Sequence, residues 1–309
     1  MNKQSYDIIG DIHGQAGILE SLLRNLGYNN AGDTWIHPGG RKVIFVGDFI
    51  DRGPEIRRTL HIVRAMVEAG DGLAIMGNHE YNALCYAKPD GNGGFFRPHT
   101  KGNANQHAAT LEAFRGREDE WKGYLEWFTK LPLFLDMSGL RVVHACWDAR
   151  AIQAIDPGGG FSEDMLHAYG TQHSPTQKAA DLLLKGPEVN LPNHLNYTDK
   201  EGIVRKEARI KWWLNSPRMT YREITMQLPF VPPDEAVPKK FHSRLCGYPS
   251  DAPPVLFGHY GYLKPADSLA GNVACIDLGV SLGGPLCAYR WDNERILDPA
   301  KFVTARAMT

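Results

Sequence analysis

An α/β fold built on a largely parallel sheet is predicted for this chain by two features of its residue order. Apolar runs of strand length alternate with amphipathic helical stretches through the first third, and a short polar cluster follows directly on several of those runs. Parallel strands need long crossovers, usually helices, and open α/β sheets gather their functional groups where strands end.

The elements follow in order. Tyr6 to Ile9 reads as the first strand, and Ile18, Leu19, Leu22, Leu23 and Leu26 then recur at helical spacing up to Gly27, a suitable stop. Val43 to Val46 is the second strand; after Pro54, Ile56, Leu60, Val63 and Val67 form a second apolar stripe ending near Gly70. Leu73 to Met76 is the third strand. Asp90 to Gly94 reads as a loop, Phe95 to Gln106 as a polar segment, and Ala108 to Thr129 as one helix. Leu140 to Val143 is again a strand. The stretch from Arg150 to Pro254 breaks the rhythm with Pro157 to Gly160, Trp212-Trp213 and the proline-rich Leu228 to Pro238. Strands then resume at Val255 to Phe257, Val273 to Ile276 and Leu286 to Trp291. A single domain over 1–309 is expected, with 150–254 as a mainly helical or irregular cap insertion.

Composition narrows the class. The chain has 309 residues, 43% hydrophobic and 22% charged, with a formal net charge of -1, so nothing global steers it toward nucleic acid or an anionic membrane. Five scattered cysteines without a Cys-x-x-Cys pair argue against a zinc knuckle or a disulfide framework. The start, Met1 to Ser5, carries no apolar signal core, and no run approaches the roughly 20 apolar residues of a membrane span. A cytoplasmic protein is expected.

The polar clusters carry the chemistry. They are Gly-Asp-Ile-His-Gly from Gly10, Gly-Asp-Phe-Ile-Asp-Arg-Gly from Gly47, Gly-Asn-His-Glu from Gly77, His144 in His-Ala-Cys-Trp-Asp, and Gly-His-Tyr from Gly258. Asp, His and Asn offer oxygen and imidazole ligands suited to divalent first-row ions. Phosphate ester hydrolysis needs charge neutralisation, a nucleophile and help for the leaving oxygen, and two ions ~3.5–4 Å apart serve the first two needs. Asp11 and His13 suit one ion, Asp48 can bridge, and Asn78, His144 and His259 can complete the second. His79 could protonate the leaving oxygen, Asp51 could fix its tautomer, and the planar guanidinium of Arg52 suits two phosphoryl oxygens. Gly-x-Gly-x-x-Gly is absent, which disfavours a dinucleotide site.

With these residues in place, the chain resembles the phosphoprotein-phosphatase branch of the calcineurin-like metallophosphoesterases, in a bacterial form. Its signature of Gly-Asp-x-His-Gly, Gly-Asp-x-x-Asp-Arg-Gly, Gly-Asn-His-Glu and two later histidines is met in order between Gly10 and Tyr260. The resemblance implies a metallophosphoesterase sandwich of two mixed β-sheets flanked by helices. It implies two divalent ions, manganese first and iron, nickel or zinc as alternatives, the first held by Asp11, His13 and Asp48, the second by Asp48, Asn78, His144 and His259. His79 with Asp51 would be the acid pair and Arg52 a phosphate clamp. The implied reaction is hydrolysis of phosphate monoesters, phosphoprotein Ser, Thr or Tyr included, by direct attack of a dimetal-bound hydroxide. A dinucleoside polyphosphate hydrolase is the alternative. A non-catalytic scaffold is a third reading, but it would be expected to have lost ligands that this chain keeps.

The departures bear on substrate. Ile75-Met76 stands where eukaryotic members carry Arg before Gly-Asn-His-Glu, and His144-Ala145-Cys146 replaces His-Gly-Gly. Ile276-Asp277-Leu278-Gly279 with Gly283-Gly284 resembles bacterial members, including diadenosine tetraphosphate hydrolases, although Leu278 departs from their usual Thr. A second phosphate-binding arginine is expected within 150–254, with Arg209 and Arg218 as candidates. Trp212-Trp213 reads either as a base-stacking pair or as a cap helix burying one indole. His99 and His107 lie where a site approach is open to them, whereas His37, His61, His167, His173, His194 and His242 lack a ligand-bearing context. Cys146 reads as packing and Lys239-Lys240 as a solvated pair.

Overall fold

Strand alternation sets the layers. The computed structural model describes residues 4–155, 166, 174–198, 204–215, 218–226, 228–244, 247–262, 264 and 269–307; Pro157 to Gly160, His167, His173 and Cys246 lie outside them. The main elements are β1 (Tyr6–Ile9), α1 (Ala16–Leu26), β2 (Lys42–Phe45), α2 (Ile56–Glu68), β3 (Gly72–Ala74), α3 (Asn78–Ala87), α4 (Lys101–Ala113), α5 (Glu118–Phe128), β4 (Phe134–Met137), β5 (Leu140–Val143), α6 (Ala149–Ala154), α7 (Pro175–Lys185), β6 (Glu188–Asn190), β7 (Glu207–Arg209), β8 (Val255–Phe257), β9 (Val273–Cys275), β10 (Leu286–Trp291) and β11 (Phe302–Ala305).

Two mixed sheets result. The first has the order β11-β10-β1-β2-β3, the second β9-β8-β5-β4. In the first, β1, β2 and β3 are parallel, in register at Ile8↔Ile44 and Ile44↔Leu73, while β10 and β11 are antiparallel. In the second, β5, β8 and β9 are parallel and β4 is antiparallel. Ile8, Ile44, Val46 and Ile75 of one sheet meet Leu140, Val142, Leu256, Ala274 and Ile276 of the other in a buried inner layer. The neighbours Ile9, Val43 and Phe45 point the opposite way, into the core shared with α1 and α2. The sandwich implied by the resemblance is therefore the fold, and the largely parallel sheet read from the first third is its parallel centre.

Local chemistry explains the helix ends. α1 buries Ile18, Leu19, Leu22, Leu23 and Leu26 and stops at Gly27, whose φ of 91° is left-handed and whose N–H reaches Arg24 and Leu23 carbonyls. The single helix expected over Ala108 to Thr129 is two helices. Gly116, at φ 71°, turns the chain between them, and Glu118, Asp119 and Glu120 open α5 at its positive end. α4 begins inside the polar segment Phe95 to Gln106, capped by the Thr100 hydroxyl, which accepts from Asn103 N at 3.2 Å. β4 and β11 are additions to the expected strands, and β9 ends one residue before Ile276.

The insertion, expected to be mainly helical or irregular, also carries short strands. Its described part holds α7, short 3-10 turns, the antiparallel ladder β6–β7 and a two-residue ladder of Tyr197–Thr198 with Val204–Arg205. Trp212 and Trp213 sit in a turn, not a helix, and are 0% and 5% exposed, packed 5.2 and 5.6 Å from the Phe257 ring. This corrects the base-stacking reading: both indoles are spent on packing against β8. Among the described residues no helix is long and apolar enough to cross a membrane.

Candidate metal centre

Parallel strands bring their carboxyl ends to one edge, so the loops after β1, β2 and β3 meet those after β5 and β8. The two sheets are tied together there. His144 Nδ1 donates to the Val46 carbonyl at 2.7 Å, and Gly258 N donates to the His144 carbonyl at 2.9 Å. The backbone is bent hard at this edge. Seven non-glycine residues with left-handed φ occur among the described residues, and five are His13, Asp48, Asp51, Arg52 and His259. Such conformations cost of order 1–3 kcal/mol each and persist where the surroundings hold them, most often at functional sites. Close approach also requires glycine: a Cβ on Gly258 would lie 2.0 Å from Asp11 Oδ1, and one on Gly77 would lie 2.3 Å from Asp48 Oδ1.

Asp11, His13, Asp48, Asn78, His79, Asp51 and His144 are all buried, with His259 beside them and Arg52 exposed at the mouth. His144 Nε2 lies 3.0 Å from Asn78 Oδ1 and 3.4 Å from Asp48 Oδ1, and His259 Nδ1 lies 2.7 Å from the same Asn78 oxygen. His13 donates through Nδ1 to the Ile50 carbonyl at 2.9 Å and turns Nε2 to Asp48 Oδ2 at 3.6 Å. In His13 and His144 alike, the backbone carbonyl fixes the proton on Nδ1, so the lone pair of Nε2 faces oxygen lone pairs. Acceptors aimed at acceptors in a buried space are what a cation reconciles.

The buried charges also shift one another's proton affinities. Burial, then Asp277, raise the Asp11 carboxyl well above its usual range, with Asp48 adding to the effect. Burial opposes protonation of His144, yet Asp48, hydrogen-bonded and negative, and Asp11 raise it to about 10. Burial and His79 push His13 down to about 3. Buried carboxylates of like charge are costly unless a positive charge joins them.

Two groups of His and Asp side chains can hold an ion, each with its ligand atoms within 4.8 Å: His13, Asp48 and His79, and Asp48, His144 and His259. Asp48 belongs to both, as a bridging ligand would. Asp11 is in neither group; its carboxylate accepts from His259 N at 3.0 and 3.2 Å. His79 Nε2 lies 3.8 Å from Asp48 Oδ2, while its Nδ1 bonds Asp51 Oδ2 at 2.5 Å. Burial lowers the proton affinity of His79, but Asp48 and Asp51 outweigh it and the net shift is upward. Burial would raise Asp51, but its bonds to His107 and His79 hold it well below the ordinary carboxylate range.

Two supporting groups, Glu80 and Asp277, carry no role in the sequence reading. Glu80, the last residue of Gly-Asn-His-Glu, accepts from Gly77 N, Asp48 N and Phe49 N at 3.0, 2.8 and 2.8 Å, clamping the second and third clusters together. Its presence in the motif was the available signal. Asp277 accepts from Gly279 N at 2.9 Å and Gly261 N at 2.5 Å. Arg209, at the end of β7, donates to the His259 carbonyl at 3.2 Å. His107 Nδ1 bonds Asp51 Oδ1 at 2.8 Å, whereas His99 is stacked between Tyr86 and Phe95. Cys146 is fully buried in the core and Lys239-Lys240 are exposed, as expected.

Comparison with known proteins adds relatives to this geometry. A bis(5'-nucleosyl)-tetraphosphatase PrpE (asymmetrical) of Anoxybacillus flavithermus is 45% identical over 74 residues, 24% of this chain and 30% of that protein. The enzyme of the same name from Oceanobacillus iheyensis is 32% identical over 144 residues, 45% of this chain and 54% of its own. The matches thus span from under a third to about half of these curated relatives. A cold-active protein-tyrosine phosphatase of a psychrophilic Shewanella shares the fold, with a TM-score of 0.50 at 15% identity over 98% of this chain and 80% of that one. The calcineurin-like phosphoesterase family model matches residues 5–259, from the first strand through the last histidine of the site, and the chain belongs to that family.

Proposed function

We propose that this chain is a metal-dependent phosphoesterase, with Asp11, His13, Asp48, Asn78, His144 and His259 holding two divalent ions. One observation carries the reading: imidazole nitrogens and carboxylate oxygens, buried and with their lone pairs facing one another, converge beside the histidine Nε2 of a His79–Asp51 pair. The N/O ligand set without thiolate suits manganese first, with iron, nickel and zinc as alternatives. Divalent ions bound there supply charge neutralisation for the phosphoryl oxygens and acidify water at neutral pH.

The chain's own residues do the rest. His79, with Nδ1 held by Asp51, presents Nε2 toward the ligands and gives that proton to the leaving oxygen as the P–O bond breaks. Asp51 stays ionised and is balanced by the imidazolium before transfer. Arg52 exchanges its bond with Ser281 Oγ, 2.9 Å long, for phosphoryl oxygens. Arg209, beside His259, is the candidate for a second phosphate contact.

The site residues touch only the phosphoryl group, so phosphate monoesters, phosphoprotein side chains included, are the broadest substrate class. The relatives favour a narrower second reading, a dinucleoside tetraphosphate split asymmetrically into a triphosphate and a monophosphate. Chelation followed by add-back of each metal, read on an aryl phosphate, tests the metal requirement. Full turnover in a preparation shown by elemental analysis to be metal-free would overturn it. Diadenosine tetraphosphate measured beside phosphoserine, phosphothreonine and phosphotyrosine peptides then orders the substrates. An advantage of ~10³ in kcat/KM, about 4 kcal/mol in transition-state binding, assigns the tetraphosphate.

A further inference from the structure

α4 is an unusual helix for a protein interior. A helix packed on a core normally buries an apolar stripe, yet the fully buried residues of α4 are His107 and Thr110, both polar. Burying such groups costs free energy unless they are paired. Three residues apart, they share one face, and both are paired with the same carboxylate. His107 Nδ1 lies 2.8 Å from Asp51 Oδ1. The Thr110 hydroxyl accepts from Asp51 N at 3.0 Å and donates to Asp51 Oδ1 at 2.5 Å. Tyr86 and Trp121 pack around the His107 ring, with centroids 5.4 and 5.8 Å away.

Asp51 is thus divided between two histidines. Its Oδ1 is occupied from α4, and its Oδ2 alone is left for His79 Nδ1. The aspartate sits on backbone at φ 66°, which its own chain does not favour, so external bonds must hold it. We propose that His107, with Thr110, is a positioning residue for the reaction. By fixing the carboxylate plane of Asp51, it fixes the ring of His79, so that Nε2 faces the leaving oxygen. This rests on the phosphoesterase reading given above. His107 touches neither a proposed ligand nor substrate; it acts through Asp51 and His79.

A merely structural role for His107 predicts lower thermal stability and equal loss on every substrate. A positioning role predicts a loss that depends on the leaving group. His107→Ala should lower kcat on phenyl phosphate, a poor leaving group, roughly 10²-fold, the scale of a misplaced catalytic group. The loss on para-nitrophenyl phosphate should be far smaller, with KM and metal content per chain unchanged. His107→Asn, whose amide can donate near the position of Nδ1, should recover most of the difference. Independently of turnover, the downfield proton resonance of the His79 Nδ1–H bonded to Asp51 should be sharp in the wild type and shifted or broadened in His107→Ala. Wild-type kcat in His107→Ala on both substrates, or equal loss on both, overturns the proposal. If His107→Ala does not fold, Thr110→Val decides by the same ratio. If the wild type shows no metal-dependent turnover, the phosphoesterase reading fails, and the Nδ1–H resonance alone judges whether His107 holds the pair.

Discussion

The strand-end loops of the two sheets and the inserted stretch 150–254 contribute to the same site in opposite ways. From the sheets come the short polar clusters, held by left-handed backbone, glycine contacts and the Glu80 clamp, with almost no freedom left to any side chain. The described part of the insertion brings Arg209 to the His259 carbonyl and lays Trp212 and Trp213 over β8. The difference separates chemistry from enclosure. Substitutions in the first region should change the reaction itself, and substitutions in the second should change affinity or stability.

Asp48→Asn should have the largest effect. Asp48 lies in both groups that could hold an ion, and its Oδ1 also accepts from His79 N at 2.9 Å. Removing the charge weakens both sites at once and leaves two cations repelling each other. Activity should be lost and metal content should fall below two ions per chain, as read by elemental analysis. Two ions retained with normal turnover would show that Asp48 does not bridge.

His79→Asn comes next. General acid catalysis is typically worth ~10²–10⁴-fold, and the loss should be greatest for poor leaving groups. Because His79 also stands within reach of Asp48, metal content decides its role. A donor leaves both ions in place when removed, whereas a ligand takes one with it.

The sequence made the first region legible because motif spacing and apolar runs coincide there. Each proposed ligand follows a strand of hydrophobic residues, so Asp11, His13, Asp48, Asn78, His144 and His259 could be picked out together with the fold that unites them. The first half of α4, before Ala108, escaped because the buried face of that helix is His107 and Thr110, which leaves no apolar period to read. The break at Gly116 was hidden for a related reason: a lone glycine inside a helical pattern is tolerated as often as it terminates one. The insertion was opaque because its contacts are distant in sequence. Nothing near Trp212 announces Phe257, and nothing near Arg209 announces His259.

Arg209→Met should therefore act on affinity. The guanidinium lies 5.7 Å from the Tyr260 ring and donates to the His259 carbonyl, so it borders the site without joining the ligands. Loss of a charge-assisted contact to a phosphoryl oxygen is worth ~1.5–3 kcal/mol, about one to two decades in kcat/KM. Metal content should be unchanged. If Arg218→Met gives the larger loss instead, the second phosphate contact belongs there.

Trp212→Ala should have the smallest effect on chemistry and a clear one on stability. Its indole is fully buried against Phe257, Trp213 and Tyr248, and it touches no proposed ligand. Deleting a large aromatic side chain from a packed core removes its transfer free energy and leaves a cavity, ~3–5 kcal/mol together. Denaturant unfolding should show that loss, while the folded variant keeps the kcat of the wild type on an aryl phosphate at low temperature. The same comparison on diadenosine tetraphosphate bears on substrate. An indole used for packing leaves the ratio of the two substrates unchanged, whereas a selective loss on the dinucleotide would mean that this face opens and that Trp212 stacks a base after all.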